Sequence, residues 1–424
     1  MGTAINMNRL EMLPTEYLER MKSLFVSEYD DFINSYEDEP LKALKFNPLK
    51  VREETVIKLI NEWGLKRVPW CQDGYYYGGD IRPGLSPYHA AGVFYIQEPS
   101  AMITAEEADI GPDDLVLDLC AAPGGKSTQA AVKAGILISN EPIPKRARIL
   151  SSNIERLGLS NVIVTSAYPE ELAVLMPETF DRIIVDAPCS GEGMMRKDET
   201  AISEWSAANV QKCVLRQAGI LDNAAVMLKP GGKLIYSTCT FEECENEDQV
   251  RDFCQRHEEF ELLKSERILP HKDPGEGHFC AVLIKNEDDK SIRTKMSGIS
   301  AELSDIAEKL RRGGIHVLRA GVQKGTLEKD KRGREYYVPS HAEAMAKSFD
   351  RDDGNKINIT SMDICLRYLK GESIRCEGPD KEGIDMSSAR EGWMTVYYDG
   401  YPLGNGKLTG TVIKNHFPKG LRLM

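Results

Sequence analysis

Two cysteines follow two short apolar runs and could work as a pair of thiols. Cys189 belongs to the motif Asp-Ala-Pro-Cys-Ser-Gly at 186–191, and Cys239 belongs to Ser-Thr-Cys-Thr at 237–240. Each apolar run is typical of a buried strand that ends in a loop. If both strands lie in one parallel sheet, the two thiols and the Asp186 carboxyl emerge at its carboxyl edge, where open α/β sheets bind ligands.

The chemistry open to these thiols is nucleophilic addition. A free thiol of pKa about 8.5 is only slightly ionised at neutral pH, but its thiolate is a strong nucleophile. Neither motif contains a histidine that could activate it. A pyrimidine base would supply the activation itself, because a thiolate can add to ring carbon 6 while an acid hydrogen-bonds the ring nitrogen, and carbon 5 then becomes nucleophilic. Asp186 suits this acid role if burial raises its pKa.

A glycine-containing loop precedes both cysteine motifs and predicts a cofactor site. The loop is Cys-Ala-Ala-Pro-Gly-Gly-Lys at 120–126, between a predicted strand and a predicted helix. It is not an ATP-binding P-loop, because cysteine occupies position 120, where that motif requires glycine. Glu141 follows the next predicted strand, about 20 residues after Asp118, the spacing at which an acid holds a ribose in such folds. The pattern predicts a nucleoside-type cofactor without choosing which.

Composition and length set the outer bounds. The chain has 424 residues, 41% of them hydrophobic and 28% charged, which fits a globular protein of two to four domains. No signal-peptide pattern and no membrane-length apolar run occurs, so we expect a cytoplasmic protein with no membrane partner. The 10 cysteines are scattered without a Cys-x-x-Cys pair, so neither a metal nor a disulfide framework is expected. The net charge of −12 argues against nucleic acid, although residues 286–424 are slightly basic.

The elements that must position the motifs fall into four segments. Residues 1–110 are predicted to be mostly helical, with a lysine-flanked turn at 45–50 that either packs or contacts phosphate. Residues 111–285 alternate strand and helix, the pattern of a doubly wound parallel sheet. Residues 286–358 begin with a polar linker at 286–300 and continue as strands, and residues 359–424 are predicted to form a small barrel. Thr240 and Glu243 are predicted to form a capping box that begins the next helix.

The three motifs at 120–126, 186–191 and 237–240, taken together and in this order, resemble the Sun/Fmu family of RNA cytosine-5 methyltransferases, specifically its bacterial RsmF-like (YebU-like) branch. Gln-Glu-Pro-Ser-Ala-Met at 97–102 and Arg-Lys-Asp at 196–198 are also similar. The resemblance extends over nearly the whole chain. It implies an α/β fold with a doubly wound Rossmann-like methyltransferase core, a helical N-terminal domain and a smaller C-terminal α+β region that ends in a PUA-like, RNA-binding β-barrel.

The resemblance also implies a cofactor, S-adenosylmethionine, and roles for the motif residues. Glu141 would hold the ribose, with Arg146 nearby, and Asp186 would border both the methionine and the base. Cys239 would be the nucleophile that forms a covalent RNA adduct, and Cys189 would assist its breakdown. The implied cofactor-binding residues are Cys120, Ala121, Ala122, Pro123, Gly124, Gly125, Lys126, Glu141, Arg146 and Asp186.

The implied partner is ribosomal RNA or the small ribosomal subunit, with target cytosines near the decoding region. Oligomerisation is not indicated. Three positions depart from the family pattern: Lys45 replaces an arginine, Tyr168 stands where an acid usually contacts adenine, and Asn405 replaces an aromatic residue. The implied RNA-binding residues are Lys45, Asn47, Lys50, Arg196, Lys197 and Lys407.

Several alternatives stay open on the sequence. The thiols could exchange roles, because a Pro-Cys pair supplies the nucleophile in DNA cytosine methyltransferases. The substrate could be transfer RNA, or the protein could be a non-catalytic RNA-binding ribosome-assembly factor. An NTPase is disfavoured by Cys120.

Overall fold

The structure of the protein, a computed structural model, describes residues 9–287, 299–329, 332–352 and 354–423. Most of the linker predicted at 286–300 lies outside these residues. Within the described ranges, no helix has both the length and the apolar character needed to cross a membrane.

The N-terminal region is a helical layer followed by a small antiparallel sheet. The sheet has the strand order β2-β3-β1-β4. The prediction of a mostly helical segment is therefore wrong in part. The strand at 42–46 was not predicted because residues 43–46 are all buried, so the sequence lacks the alternation of a half-buried strand. The elements are α1 (Arg9–Met12), α2 (Thr15–Phe25), α3 (Tyr29–Asn34), β1 (Lys42–Phe46), α4 (Glu53–Trp63), β2 (Lys66–Arg67), β3 (Gly74–Tyr77), α5 (Pro87–Ala90), β4 (Phe94–Gln97) and α6 (Ile103–Glu107).

The predicted doubly wound sheet is confirmed in the central region. Its five central strands run parallel, and two antiparallel strands follow at one edge. The elements are β5 (Leu115–Asp118), α7 (Gly125–Lys133), β6 (Ile136–Asn140), α8 (Pro144–Leu157), β7 (Val162–Ser166), α9 (Pro169–Leu175), β8 (Phe180–Asp186), α10 (Glu199–Glu204), α11 (Ala207–Met227), β9 (Leu228–Thr238), α12 (Glu247–Arg256), β10 (Phe260–Ile268) and β11 (His278–Lys285).

The central strands are apolar because both faces of the sheet are covered. Every residue of β5 and of β6 is buried. Helices α7 and α8 contribute to the apolar cluster on one face, and α9, α11 and α12 contribute to the cluster on the other. Strand β5 lies between β6 and β8, so the chain leaves it in one direction and later returns on the other side. The crevice at this switch point is where such sheets bind ligands.

The C-terminal part begins as an extension of the core. Strand β12 pairs antiparallel with β7 and completes the order β10-β11-β9-β8-β5-β6-β7-β12. Helix α13 buries Leu303, Ala307 and Leu310 in the same apolar cluster as the central strands, and the predicted domain boundary at 285 stays a prediction. The elements from here to residue 345 are α13 (Ile299–Arg312), β12 (His316–Ala320), β13 (Thr326–Lys329), β14 (Glu335–Val338) and α14 (His341–Met345).

The last segment is a six-stranded sheet curled into half a barrel, in the order β16-β20-β19-β18-β15-β17. It does not stand apart from the N-terminal region. Leu44 and Phe46 of β1 lie in one apolar cluster with Tyr401 and Leu403. The N-terminal sheet therefore packs against the C-terminal sheet. The elements are β15 (Lys356–Ile359), α15 (Met362–Leu369), β16 (Ile374–Arg375), β17 (Ile384–Asp385), β18 (Gly392–Tyr398), β19 (Tyr401–Thr409) and β20 (Val412–Asn415).

Candidate active site

A cavity of about 670 Å³ lies beyond the carboxyl ends of the central strands. The loops after β5, β6, β7, β8 and β9 and one side of α11 line it. The structure thus brings together, in one cleft, residues that the sequence predicted from separate motifs. The predicted site residues on its wall are Cys120, Ala122, Glu141, Arg146, Asp186, Cys189 and Cys239.

The rest of the loop at 120–126 lies behind this wall and shapes it. Gly124 has a φ of +117°, a conformation that favours glycine, and it leads directly into α7. A Cβ at Gly125 would lie 3.0 Å from the side chain of Gln97, so the loop packs closely against β4. Ala121 donates its backbone N–H to the carbonyl of Asn140, and the guanidinium of Arg146 donates to the carbonyl of Ala122 at 2.9 Å. Pro123 follows Ala122 through a cis peptide bond.

Glu141 places a carboxylate at one end of the cavity. The backbone N–H of Ile143 donates to its Oε1 at 3.0 Å, and Arg146 Nη1 lies 3.1 Å from its Oε2. These two contacts fix the orientation of the carboxylate at the cavity wall. Each carboxylate oxygen can accept more than one hydrogen bond, so Glu141 keeps capacity for the two hydroxyls of a ribose.

Asp186 is an ion-paired carboxylate. Lys126 Nζ lies 2.8 Å from its Oδ2, and Ser237 Oγ donates to its Oδ1 at 2.9 Å. Burial alone would raise the pKa of Asp186, but the charge of Lys126, the nearby His278 and the two hydrogen bonds together hold that pKa below its ordinary value. The condition set for an acid role, a pKa raised by burial, is therefore not met, because these contacts outweigh burial and keep Asp186 ionised at neutral pH.

The two thiols are in contact. Cys189 Sγ lies 3.4 Å from Cys239 Sγ, and the backbone N–H of Cys239 also points to Cys189 Sγ at 3.4 Å. The pKa of Cys189 is raised well above its ordinary value by its hydrogen bond to Cys239 and by burial. Cys189 therefore holds its proton, and either sulfur can act as the donor in the contact between them.

A buried glutamate that the sequence analysis missed joins the two cysteine loops. Glu192, three residues after Cys189, is fully buried. Its carboxyl accepts hydrogen bonds from Thr240 Oγ1 at 2.9 Å, the backbone N–H of Phe241 at 3.0 Å and Trp205 Nε1 at 2.9 Å. The predicted capping box of Thr240 and Glu243 is wrong, because the Thr240 hydroxyl is used here and the helix begins only at Glu247.

We expect Glu192→Gln to change how stability depends on pH. Burial and the charge of Glu242 raise the pKa of Glu192 to about 8. The unfolded chain loses this proton near pH 4.5, so the free energy of unfolding falls as pH rises towards 8, by up to about 1.4 kcal/mol per pH unit. The variant lacks this term and should show a flatter profile in urea unfolding between pH 5 and 8.

The exposed Glu204 on α10 supplies the matched control for this measurement. Glu204→Gln should leave the wild-type slope unchanged. Identical slopes for Glu192→Gln and the wild type would show that Glu192 is ionised in the folded protein at all these pH values.

Three of the predicted RNA-binding residues are used inside the protein. Lys45 is 5% exposed, and its Nζ donates to Gly125 O at 3.1 Å and to Gln129 Oε1 at 3.3 Å. Burial lowers its pKa to about 7. Asn47 is 2% exposed, and Lys50 donates to the carbonyls of Ala91 and Arg156. These contacts connect the N-terminal sheet to the core, and an RNA contact of the three residues stays a prediction.

The other three predicted RNA-binding residues differ among themselves. Arg196 is 4% exposed and pairs with the buried Glu276 at 3.2 Å. Lys197 lies 3.8 Å from the other oxygen of the same carboxylate. Lys407, on β19, lies over the rings of Tyr336 and Trp393, and it is partly exposed. Only Lys407 of the six combines exposure with neighbouring aromatic rings, so its RNA contact stays a prediction.

We expect Asn47→Ala to lower stability by about 1–3 kcal/mol, because its Nδ2 donates to the buried carbonyls of Gly92 and Leu157. Urea unfolding measures this loss. Asn61→Ala, an exposed position on α4, is the control and should change little. If Asn47→Ala instead weakened RNA binding with no loss of stability, the prediction of an RNA contact at Asn47 would be correct.

The sheet and the cleft at its switch point define a Rossmann-like methyltransferase. Three family models match the chain. The model described as 16S rRNA methyltransferase RsmB/F covers residues 107–284, the N-terminal domain of 16S rRNA methyltransferase RsmF covers 13–99, and the methyltransferase RsmF PUA domain covers 360–423. The chain belongs to the RsmF-like branch of the RsmB/F methyltransferase family.

Similar proteins agree with this assignment. Ribosomal RNA small subunit methyltransferase F of Vibrio vulnificus is 39% identical over 248 residues, which cover 55% of this chain and 52% of the relative. The chain thus matches about half the length of such relatives at this identity. The protein of the same name from Vibrio campbellii is 28% identical over 96% of this chain and 97% of its own length.

One solved structure shares the fold over most of the chain. It is described as a methyltransferase homolog protein from Pyrococcus horikoshii. It is 25% identical with a TM-score of 0.58, and the match covers 67% of this chain and all of the other.

Proposed function

We propose that this protein transfers a methyl group from S-adenosylmethionine to carbon 5 of a cytosine in small-subunit ribosomal RNA. The observation that carries the proposal is the contact between two thiols, 3.4 Å apart. The same cavity contains the ion-paired carboxylate of Asp186 and the carboxylate of Glu141, which can accept hydrogen bonds from a ribose. Nucleophilic addition to a pyrimidine requires such a thiol, and methyl transfer requires a donor site beside it.

The residues present fit the proposed cofactor. The cavity volume lies in the range of small-molecule sites, about 300–1,000 Å³. Glu141 offers hydrogen-bond acceptors for ribose hydroxyls, and the loop at 120–126 forms the adjoining wall. The Asp186 carboxylate suits a neighbouring cation. When bound, S-adenosylmethionine supplies an electrophilic methyl group.

The first chemical step belongs to Cys239. Its thiolate adds to carbon 6 of the cytosine, the carbon–sulfur bond forms, and the ring electrons become available at carbon 5. The ring takes up a proton from solvent at N3, which balances the added charge, and the carboxylate of Asp186, held by Lys126, accepts a hydrogen bond from that N3–H group. The target base must leave its stack, which costs a few kcal/mol and is easiest in irregular RNA.

The release step belongs to the thiol pair. After methyl transfer a base removes the proton from carbon 5, the carbon–sulfur bond breaks, and the electrons return to Cys239 Sγ. Cys189, which keeps its proton, donates a hydrogen bond to the departing sulfur and stabilises it as a thiolate. We propose this as the division of labour between the two cysteines.

The C-terminal region supplies the proposed RNA contacts outside the cleft. Lys407 and the rings of Tyr336 and Trp393 combine a cation with aromatic surfaces, the pairing that binds single-stranded RNA by charge and stacking. We propose residues 359–424 as an RNA-binding domain that guides the substrate to the cavity.

Transfer of labelled methyl groups tests the proposal. Purified protein is incubated with methyl-labelled S-adenosylmethionine and, separately, with unmodified small ribosomal subunits, their naked RNA and transfer RNA. Label in 5-methylcytosine of small-subunit RNA, absent with Cys239→Ala, supports the proposal. Label only in transfer RNA would support the alternative substrate, and RNA binding without any label would support an assembly factor.

A further inference from the structure

The two cysteines of the cavity are placed for a second reaction, with each other. Strands β8 and β9 run parallel, and Asp186 lies opposite Ser237 in the register. Cys189 and Cys239 therefore leave the same sheet edge on adjacent loops. Their sulfur atoms are 3.4 Å apart, and a disulfide bond of about 2.05 Å requires them to approach by roughly 1.4 Å.

We propose that Cys189 and Cys239 form a reversible disulfide when the protein meets a hydroperoxide, and that this oxidation switches the site off. Both cysteines are partly exposed and line the cavity of about 670 Å³, so a small oxidant can reach them. Four other cysteines (Cys71, Cys213, Cys280 and Cys365) are buried and are therefore shielded.

The pair contains an attacking thiol and a resolving thiol. The contact with Cys239 and burial raise the pKa of Cys189, which suits Cys189 to the resolving role, and Cys239 reaches the same cavity 3.4 Å away. Susceptibility to peroxide follows thiolate character and exposure, and redox-active cysteines are often placed next to a resolving cysteine. Cys120 also lines the cavity, but burial raises its pKa well above the ordinary value.

The chemistry balances in two steps. Cys239 thiolate attacks one oxygen of hydrogen peroxide, the O–O bond breaks, and hydroxide leaves to give a sulfenic acid at Cys239. Cys189 then attacks that sulfur and gives up its proton, the S–O bond breaks, and the departing hydroxide takes up that one proton to leave as water. The hydroxide from the first step becomes water with the proton that Cys239 released when it ionised. Two thiols are oxidised to one disulfide, and one peroxide is reduced to two waters. A dithiol reductant reverses the change.

The disulfide has a selective consequence. It removes the sulfur that would attack RNA, but it leaves Glu141, Arg146 and the loop at 120–126 in place. Oxidised protein should therefore still bind the cofactor while it forms no RNA adduct. This consequence rests on the proposed function, whereas formation of the bond rests on the geometry alone.

Peptide mass spectrometry of the full chain tests the bond without RNA or cofactor. The protein is treated with a series of hydrogen peroxide concentrations, blocked with N-ethylmaleimide and digested without reductant. We expect a cross-linked peptide pair that contains Cys189 and Cys239 and that disappears on treatment with dithiothreitol. Cys254→Ser on α12 is the matched control and should retain the cross-link. Cys189→Ser should lose the cross-link and accumulate sulfinic acid at Cys239, because the resolving thiol is missing.

Two outcomes would overturn the proposal: oxidation of Cys239 beyond the sulfenic stage without any link to Cys189 in the wild-type chain, or a link of either cysteine to a different partner. The activity assay is kept separate. In an active preparation, oxidation should reduce methyl transfer at least about 100-fold, because the nucleophile is consumed, and dithiothreitol should restore it. A cross-link in a protein without methyl transfer would uphold the disulfide and contradict only the proposed function.

Discussion

Cys239→Ala is expected to abolish both methyl transfer and the covalent RNA adduct, and Cys189→Ala is expected to retain the adduct and to lose its release. The first variant removes the sulfur that bonds to carbon 6, so turnover should fall at least about 1,000-fold, equivalent to ~4 kcal/mol in the barrier. The second leaves Cys239 able to attack but removes the hydrogen bond, across 3.4 Å, that stabilises the departing sulfur.

The measurement is denaturing electrophoresis of labelled RNA after incubation with each variant and S-adenosylmethionine. A slowly migrating RNA–protein band should be strong for Cys189→Ala, weak for the wild type and missing for Cys239→Ala. Cys254→Ser is a control that should match the wild type, because Cys254 lies on α12 and is not part of the cavity wall. The opposite pattern would assign the nucleophile to Cys189 and the release step to Cys239.

Much of the central fold follows from local pattern. The five parallel strands are short apolar runs separated by helices, and each is predictable because strands buried on both faces read as continuous apolar segments. Strand β1 has the same character, with four buried residues in succession. However, Lys45 and the Asn-Pro sequence that follows the strand indicate a turn. The pairing of β1 could not be predicted, because its partners β3 and β4 are far away in sequence.

The part of the site that lies at the ends of strands could be predicted. One sheet supplies Asp186, Cys189 and Cys239, each at or just after the end of a strand, so their convergence follows from the topology. The ionised state of Asp186 does not, because it depends on Lys126, which lies on a different element. The role of Glu192 was not predictable for a similar reason. Three hydrogen-bond donors surround its carboxyl: two lie in the loop after β9, and the third is Trp205, which directly follows α10.

The lysines at 45 and 50 make contacts within the protein that the sequence did not predict. Basic residues beside a turn suggest a phosphate contact. Buried backbone carbonyls also need donors, and Lys45 and Lys50 serve that need by reaching Gly125, Ala91 and Arg156. Only tertiary packing distinguishes the two uses of a lysine.

Lys126→Met is expected to raise the pKa of Asp186, so that its carboxylate is no longer fully charged near neutral pH. Both the stability of the fold and methyl transfer should then depend on pH. Lys126 is 8% exposed at its side chain, and its ammonium lies 2.8 Å from the Asp186 carboxylate. Removal of one partner from a buried pair costs about 3–5 kcal/mol. Asp186 keeps 36% of its side-chain surface exposed, so we expect a smaller loss, about 2 kcal/mol at pH 8.

The sign of the pH dependence follows from the pKa of Asp186. In the wild type this pKa is below its ordinary value, so the ion pair stabilises the fold throughout the neutral range and the effect is lost only in acid. Without Lys126, burial raises the pKa of Asp186, and the variant should be less destabilised at pH 5 than at pH 8. Urea unfolding at the two pH values measures this difference.

Two further variants separate the charge effect from a simple packing defect. The double variant Lys126→Met with Asp186→Asn should recover stability at pH 8, because no unpaired charge remains, and yet should stay inactive in methyl transfer. Lys229→Met breaks the Lys229–Asp181 pair, also 2.8 Å long, whose lysine is more exposed than Lys126, and should cost less than about 1 kcal/mol without affecting methyl transfer. Equal destabilisation of Lys126→Met at both pH values would show that Lys126 acts through packing and that Asp186 owes its ionisation to Ser237 and solvent.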